Sequence, residues 1–182
     1  VIDPTLEEDI KSTLIVLRNN QVVGDIYVPW QFYFGKRRLK GTVWGHNKSK
    51  GILIHRNRFE ILPITHYGRR LLPGFVSHEI TRSGNNVLHH FWMEDRKTFV
   101  AKHLKYLKDE GNDRYNLGQR ISLIGVLYNL FFQFFNCYIL KKGYKDGFVG
   151  IYLSLFWCWY ITNANFKLYK ITLKRKNEYQ FD

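Results

Sequence analysis

Acidic residues are scarce in this chain. Its 182 residues carry 15 Asp and Glu against 28 Lys and Arg, a formal net charge of +13. That imbalance directs the search for partners toward phosphates, nucleic acid or an anionic membrane surface. Cysteine is nearly absent as well: Cys137 and Cys158 both lie inside apolar runs. They read as small core hydrophobes of a reducing compartment, with no disulfide framework and no metal-ligand spacing. No P-loop, GxGxxG, GxSxG or HExxH pattern occurs, which removes the common nucleotide cradles, the nucleophile elbow and the zincin site. The opening VIDPTLEEDI is acidic and has no apolar h-region, so it is not a cleavable secretory leader. Internal repeats and low-complexity stretches are missing too. Met93 is the only methionine and the chain opens on Val, so a fragment or processed product is expected.

Two stretches are without any Asp, Glu, Lys or Arg: Ile121 to Leu140 and Gly147 to Phe166. As helices each would be about 30 Å long, near the thickness of bilayer hydrocarbon. The KKGYKD between them holds Gly143, suited to a helix C-terminus, and Asp146, suited to the next N-cap. An antiparallel helical hairpin is predicted. Ser122, Gly125, Asn129, Gln133 and Asn136 form a polar stripe on the first helix. Gly147, Gly150, Ser154, Cys158, Thr162 and Asn165 form a small or polar stripe on the second. One-sided polarity, mid-segment Trp157 and Trp159, and clustered Lys at both ends favour contact with a membrane in the interface plane. A spanning hairpin and a soluble helical layer are the other two arrangements.

Upstream, Pro4 to Leu17 reads as a helix with Pro in its first turn and acids at its N-terminal end. Gln21 to Phe34 is β-prone, with Pro29 marking an edge or bulge. Gly51 to Arg58 and Val87 to Trp92 read as strands, Leu62 to Ile80 as a loop, and Glu94 to Glu110 as an amphipathic helix stopped by Gly111. A polar tail after Lys174 reads as disordered. From Ile26 to Phe59 eight cations occur without an acid: Lys36, Arg37, Arg38, Lys40, Lys48, Lys50, Arg56 and Arg58. Basic charge interleaved with aromatics also fits a module that binds nucleic acid or anionic lipid without catalysis. The absence of a recognisable nucleic-acid-binding motif counts against nucleic acid, which is not an expected partner.

Seven histidines (His46, His55, His66, His78, His89, His90 and His103) give no zinc pattern, and neighbours in a strand, such as His89 and His90, face opposite ways. The segment from Leu72 to Ile80 is the better candidate for chemistry. It sets His78 beside Glu79 after a Pro-Gly turn, near Arg69, Arg70 and Arg82. A carboxylate there suits a general base, and the imidazole suits a phosphate or an ion.

Lys102 to Gly111, Gly118-Gln-Arg120 and Lys142 to Gly150 resemble, in order and spacing, the C-terminal part of family 2 glycosyltransferases. The nearest subgroup builds lipopolysaccharide core and related surface glycans. Ile26 to Pro29, Phe34-Gly35, Trp44, the Ile52 to Arg58 strand and Ser77-His-Glu79 extend the resemblance upstream, over about Asp3 to Lys170. It implies an α/β fold: an incomplete GT-A-like sandwich, its C-terminal half, followed by an aromatic-rich amphipathic hairpin. The implied division is 1–93 for the acceptor-side part, 94–176 for a membrane-associating helical region and 177–182 for a polar tail. The resemblance implies that the half holding the nucleotide-sugar, with its acidic motif and divalent Mg or Mn, lies outside this sequence. A metal is therefore expected in the full-length parent and none on this piece alone. Position by position, the resemblance makes Glu79 the acceptor-side base and sets His78 near the donor diphosphate or its metal. It places Trp44 and Arg56 on the acceptor or phosphate side, where Arg69 is a neighbouring cation. The implied partners are a nucleotide-sugar donor, a lipid-linked or phosphorylated glycan acceptor and an anionic membrane. The implied location is the cytoplasmic face of the bacterial inner membrane, peripheral or interfacial.

Overall fold

The computed structural model describes residues 1–62 and 68–178, apart from the side chains of Trp92, Asn177 and Glu178. His66 and the last four residues of the polar tail therefore lie outside the described residues. The chain is mixed α/β and forms two compact units. One comprises Val1–Leu39 and Asn47–Glu94; the other takes Lys40–His46 and the chain from Asp95 on. The expected boundary at 93/94 thus misses the short 40–46 excursion, which belongs with the helices.

In the first unit, helix α1 (Pro4–Val16) starts where Asp3 accepts from the Thr5 N–H and Pro4 sits in the first turn, where a missing donor costs nothing. Strand β1 (Val23–Phe34) is the centre of a five-stranded mixed sheet. On one side it pairs antiparallel with β2 (Arg37–Arg38) and, in the 25–29 stretch, with β3 (Ser49–Ile54). Strands β4 (Phe59–Ile61) and β5 (Arg69–Leu71) make a separate two-stranded ribbon. On β1's other side, β6 (Val76–Glu79) pairs parallel with its first half and β7 (Leu88–Met93) parallel with its second.

Pro29 therefore occupies a central strand, contrary to the edge or bulge expected of it. Trp30 donates to Lys48 O on the β3 side, and Tyr27 O accepts from Ile80 on the other. Alternation turns the donor-less Pro29 nitrogen toward the gap between β6 and β7, where no ladder bond is lost. The Leu62 to Ile80 stretch is likewise not simply loop in its described part: Gly68, Pro73 and Gly74 punctuate two short strands, β5 and β6. The core under α1 gathers Leu6, Ile26, Val28 and Ile80, with Ile10, Leu17 and Leu53 around them.

The second unit begins with the one-turn helix α2 (Thr42–Gly45) and continues as α3 (Arg96–Asn116), α4 (Leu123–Phe135) and α5 (Gly147–Glu178). A π-turn (Asn136–Leu140) and a 3-10 turn (Gly143–Asp146) link the last two. The hairpin is helical as expected, and α5 runs past Phe166 through the cationic segment. Gly111 does not stop α3. It lies within the helix, where a Cβ would come 2.9 Å from the Lys167 Cβ of α5, so its smallness serves close helix packing. Asp95 caps α3 by accepting from the Thr98 N–H at 2.7 Å, and those hydrogen bonds hold its carboxyl below the usual aspartate value. Because the folded value is depressed, this contribution is present above the ordinary aspartate range and lost as pH falls through the folded value. Thermal unfolding followed from pH 6 downward should lose stability through that range. Asp95→Asn, which keeps a cap without the titration, should flatten this part of the profile; an unchanged profile would deny Asp95 the role.

Candidate functional site

Strand alternation separates the two residues expected to work together. Tyr27 pairs with Glu79 and Ile26 with His78, and residues paired across neighbouring strands share a face. His78 therefore falls on the α1-covered face with Ile26 and Ile80, whereas exposed Glu79 shares the opposite face with Asp25 and Tyr27. The separate roles expected of Glu79 and His78 thus fall on opposite faces of the sheet. Arg56 is exposed in a 3-10 turn after β3. Trp44 belongs to the helical unit, where its ring meets Phe99, His103 and Trp157 edge-on at 5.4, 5.9 and 5.6 Å. It holds α2 on the helices of the second unit.

Arg69 does line a site. On the Asp25 face of the sheet lies an open cleft of about 460 Å³, bordered by Asp25, Tyr27, Asn47, Ser49, Gly51, Phe59 and Arg69, among others. The ribbon's register sets Phe59 with Leu71 and Ile61 with Arg69, so alternation puts Phe59 and Arg69 on one face of it. Glu60 and Arg70 pair on the other face. Lys50 borders the cleft, but its register partner Val28 turns its side chain to the far face. Gly51 opens the floor: a Cβ there would stand 3.1 Å from the Tyr27 ring and 3.3 Å from Asp25 Oδ2. Arg58, another of the basic run, is committed to structure through bonds to the Val23 and Asn20 carbonyls.

Asp25 is the residue that sequence reasoning missed. It is 7% exposed, and its Oδ1 is buried without a hydrogen-bond partner among the described residues. Most buried polar groups are satisfied, so an orphan carboxylate oxygen calls for an account. The available signal was that Asp25 is the only charged residue in β1.

Among the described residues no three His, Cys, Asp or Glu side chains lie close enough to hold a metal ion. The resemblance expects the main acidic ligands outside this chain, with His78 as at most one ligand, so a complete site is not expected on these residues alone. His89 and His90 occupy opposite faces, the first beside Tyr33 (2.9 Å from its hydroxyl) and Phe91, the second beside Trp30 and Phe32.

In the helical unit the polar stripes of α4 and α5 face each other. Gln133 accepts from the Trp157 indole at 3.2 Å, the Cys158 thiol reaches the Leu130 carbonyl and Ser154 is buried, while Asn129 bonds the Gly125 carbonyl within α4 and Asn165 turns to α3, accepting from Arg114 at 2.8 Å. The expected water-facing stripe is thus a helix–helix seam, and apolar side chains point outward: Ile124 (80% exposed), Phe131 (76%) and Phe148 (90%), with Leu127, Tyr128, Phe135, Leu155 and Trp159. Trp157 and Phe156 face inward, Phe156 against Phe99 and His103. One helix, Leu123–Leu140, is long and apolar enough to cross a membrane, and little of it is buried.

No known family model, curated protein or solved structure matches this chain.

Proposed function

We propose that this chain is the acceptor-side portion of a family 2 glycosyltransferase that moves a sugar from a nucleotide-sugar to a lipid-linked or phosphorylated glycan. Its ordered sequence resemblance motivates the reading. The observation that carries it is the cleft of Asp25, Tyr27, Phe59 and Arg69, which offers a hydroxyl acceptor, aromatic walls and a guanidinium together. Such a set suits a hydroxyl-rich, anionic acceptor. The outward apolar face of α4 and α5 supports work at a membrane, which this reading takes to be the cytoplasmic face of the bacterial inner membrane. Glu79, on the cleft's side of the sheet, remains the base that takes the acceptor proton. Donor and metal belong to a part of the parent protein outside these residues, and no step is routed through them here.

The test is transfer of labelled sugar to lipid-linked glycan. The full-length parent should transfer, and this chain alone should not. Glu79→Gln in the parent should lower turnover by ~10²–10⁴ while leaving nucleotide-sugar binding nearly intact. Near-normal turnover of that variant would return Glu79 to a structural role, and transfer by the isolated chain would overturn the acceptor-side assignment.

A further inference from the structure

A buried carboxylate without a partner is unfavourable to the fold. A polar atom taken out of water without a partner costs free energy, and Oδ1 of Asp25 has no hydrogen-bond partner among the described residues. The position is also not one where an acid serves packing. The next residues on the same side of β1 are Tyr27 and Pro29, and the acid lies under an open cleft. Asn86, by contrast, shows what a satisfied buried polar group looks like in this unit: it donates to Asp9 and the Thr81 carbonyl and accepts from the Ser83 N–H. The missing partner of Asp25 is thus best supplied by a ligand in the cleft, toward which the carboxylate turns on binding to present Oδ1, now closed off.

The rest of the cleft narrows its chemistry. Tyr27, Ser49 and Asn47 offer hydroxyl and amide groups, and Phe59 offers an aromatic wall. Arg69 lies on the same ribbon face as Phe59, and no ion pair occupies it among the described residues. A planar guanidinium recognises phosphate in a forked geometry, while an aspartate oxygen accepts from hydroxyls. An inorganic anion alone would leave Asp25 unmatched and would meet its repulsion. A neutral sugar would leave Arg69 unmatched. A cation alone would find one carboxylate and a guanidinium opposing it.

We propose that the cleft of Asp25, Tyr27, Phe59 and Arg69 is a binding site for a phosphorylated sugar, with Asp25 accepting from sugar hydroxyls and Arg69 holding the phosphate. This deepens the glycosyltransferase reading, on which it rests, by locating the acceptor's sugar phosphate. Gly51 belongs to the device, since any side chain there would crowd Asp25 Oδ2 and the Tyr27 ring.

Calorimetric titration of the full chain with glucose 6-phosphate, glucose and inorganic phosphate tests it without requiring transfer. The sugar phosphate should bind roughly 10-fold or more tightly than either of the others. Arg69→Ala should reduce its affinity to that of glucose. Asp25→Asn should weaken it by about 10-fold or more, while leaving urea stability equal or higher, because an orphan charge is removed. Equal binding of inorganic phosphate and the sugar phosphate, unchanged affinity in Asp25→Asn, or unfolding of that variant would each overturn the site. Sugar-phosphate binding by a parent that transfers no sugar would leave the site standing and remove the glycosyltransferase reading. Transfer with unchanged acceptor KM in both variants would do the reverse.

Discussion

Asp146→Ala is expected to cost about 3–5 kcal/mol of folding free energy, a large share of the total for a domain of this size. Asp146 is 1% exposed and accepts from two backbone donors more than a hundred residues away, Lys40 N–H at 2.8 Å and Gly41 N–H at 2.7 Å. Hydrogen bonds to a charged acceptor are worth more than neutral ones, and removing this acceptor strands two buried or half-buried donors. The contact leaves no room for adjustment. A Cβ on Gly41 would collide with the Lys142 carbonyl, and one on Gly150 would collide with the Gly143 carbonyl. These collisions involve backbone atoms, which cannot rotate away. The same carboxylate thus anchors the 40–46 segment, and the Gly143 to Gly150 turn, to one another. Urea unfolding of Asp146→Ala and Asp146→Asn should show a graded loss, the Asn variant retaining one acceptor. Gly150→Ala should be destabilised through the neighbouring clash. A loss below about 1 kcal/mol in Asp146→Ala would mean that solvent satisfies both donors and that the anchor is not structural.

This anchor is where the sequence was legible in kind and wrong in role. Asp146 stands one residue before α5, where an N-cap is the ordinary inference, and nothing local reveals that residues 40 and 41 need it. The helices themselves were legible from Pro4 with its acids, the amphipathic run after Glu94 and the two uncharged apolar runs; their caps, Asp3, Asp95 and Ser122, are local too and agree with those starts. Gly111 misled because a glycine at a helix end and a glycine at a close helix crossing look alike until the neighbour is known. β5 and β6 were hidden by the Gly and Pro residues around them, and their stability comes from partners distant in sequence. Among the candidate site residues, Arg69 was placed by charge alone and does line the cleft. That His78 and Glu79 fall on opposite faces was hidden because the stretch was read as loop, where no alternation is expected. Asp25 required knowing which face of β1 opens to a cleft. Periodicity likewise showed that α4 and α5 each have a polar and an apolar side, but not that the polar sides face each other.

That inversion sets the largest expected effect on location. Replacing Ile124, Phe131, Phe135 and Phe148 together with Ser should move the protein from the membrane pellet to the soluble fraction. All four are at least half exposed, so the substitutions remove little of the packing of the helical unit. Each such side chain contributes roughly 1.5–3 kcal/mol when fully buried in an apolar medium. Allowing half that for partial insertion, the four together still change partitioning by on the order of 10² or more. Cations add an electrostatic part through Lys141, Lys142 and Lys145 at the turn, each worth about 1 kcal/mol near an anionic surface. Lys167 is not among them, because its ammonium donates to the Leu107 carbonyl within the unit. High salt should therefore loosen the wild-type protein from anionic vesicles only in part, while detergent releases it. Trp157→Ser is the contrasting variant. Its indole bonds Gln133 and stacks at 5.7 Å on Tyr160, so it should lower stability without releasing the folded protein from vesicles. Co-sedimentation of the fourfold Ser variant at the wild-type level would show that this face does not meet lipid. A soluble wild-type protein that becomes monomeric only in the fourfold variant would assign the face to a second copy of the chain instead.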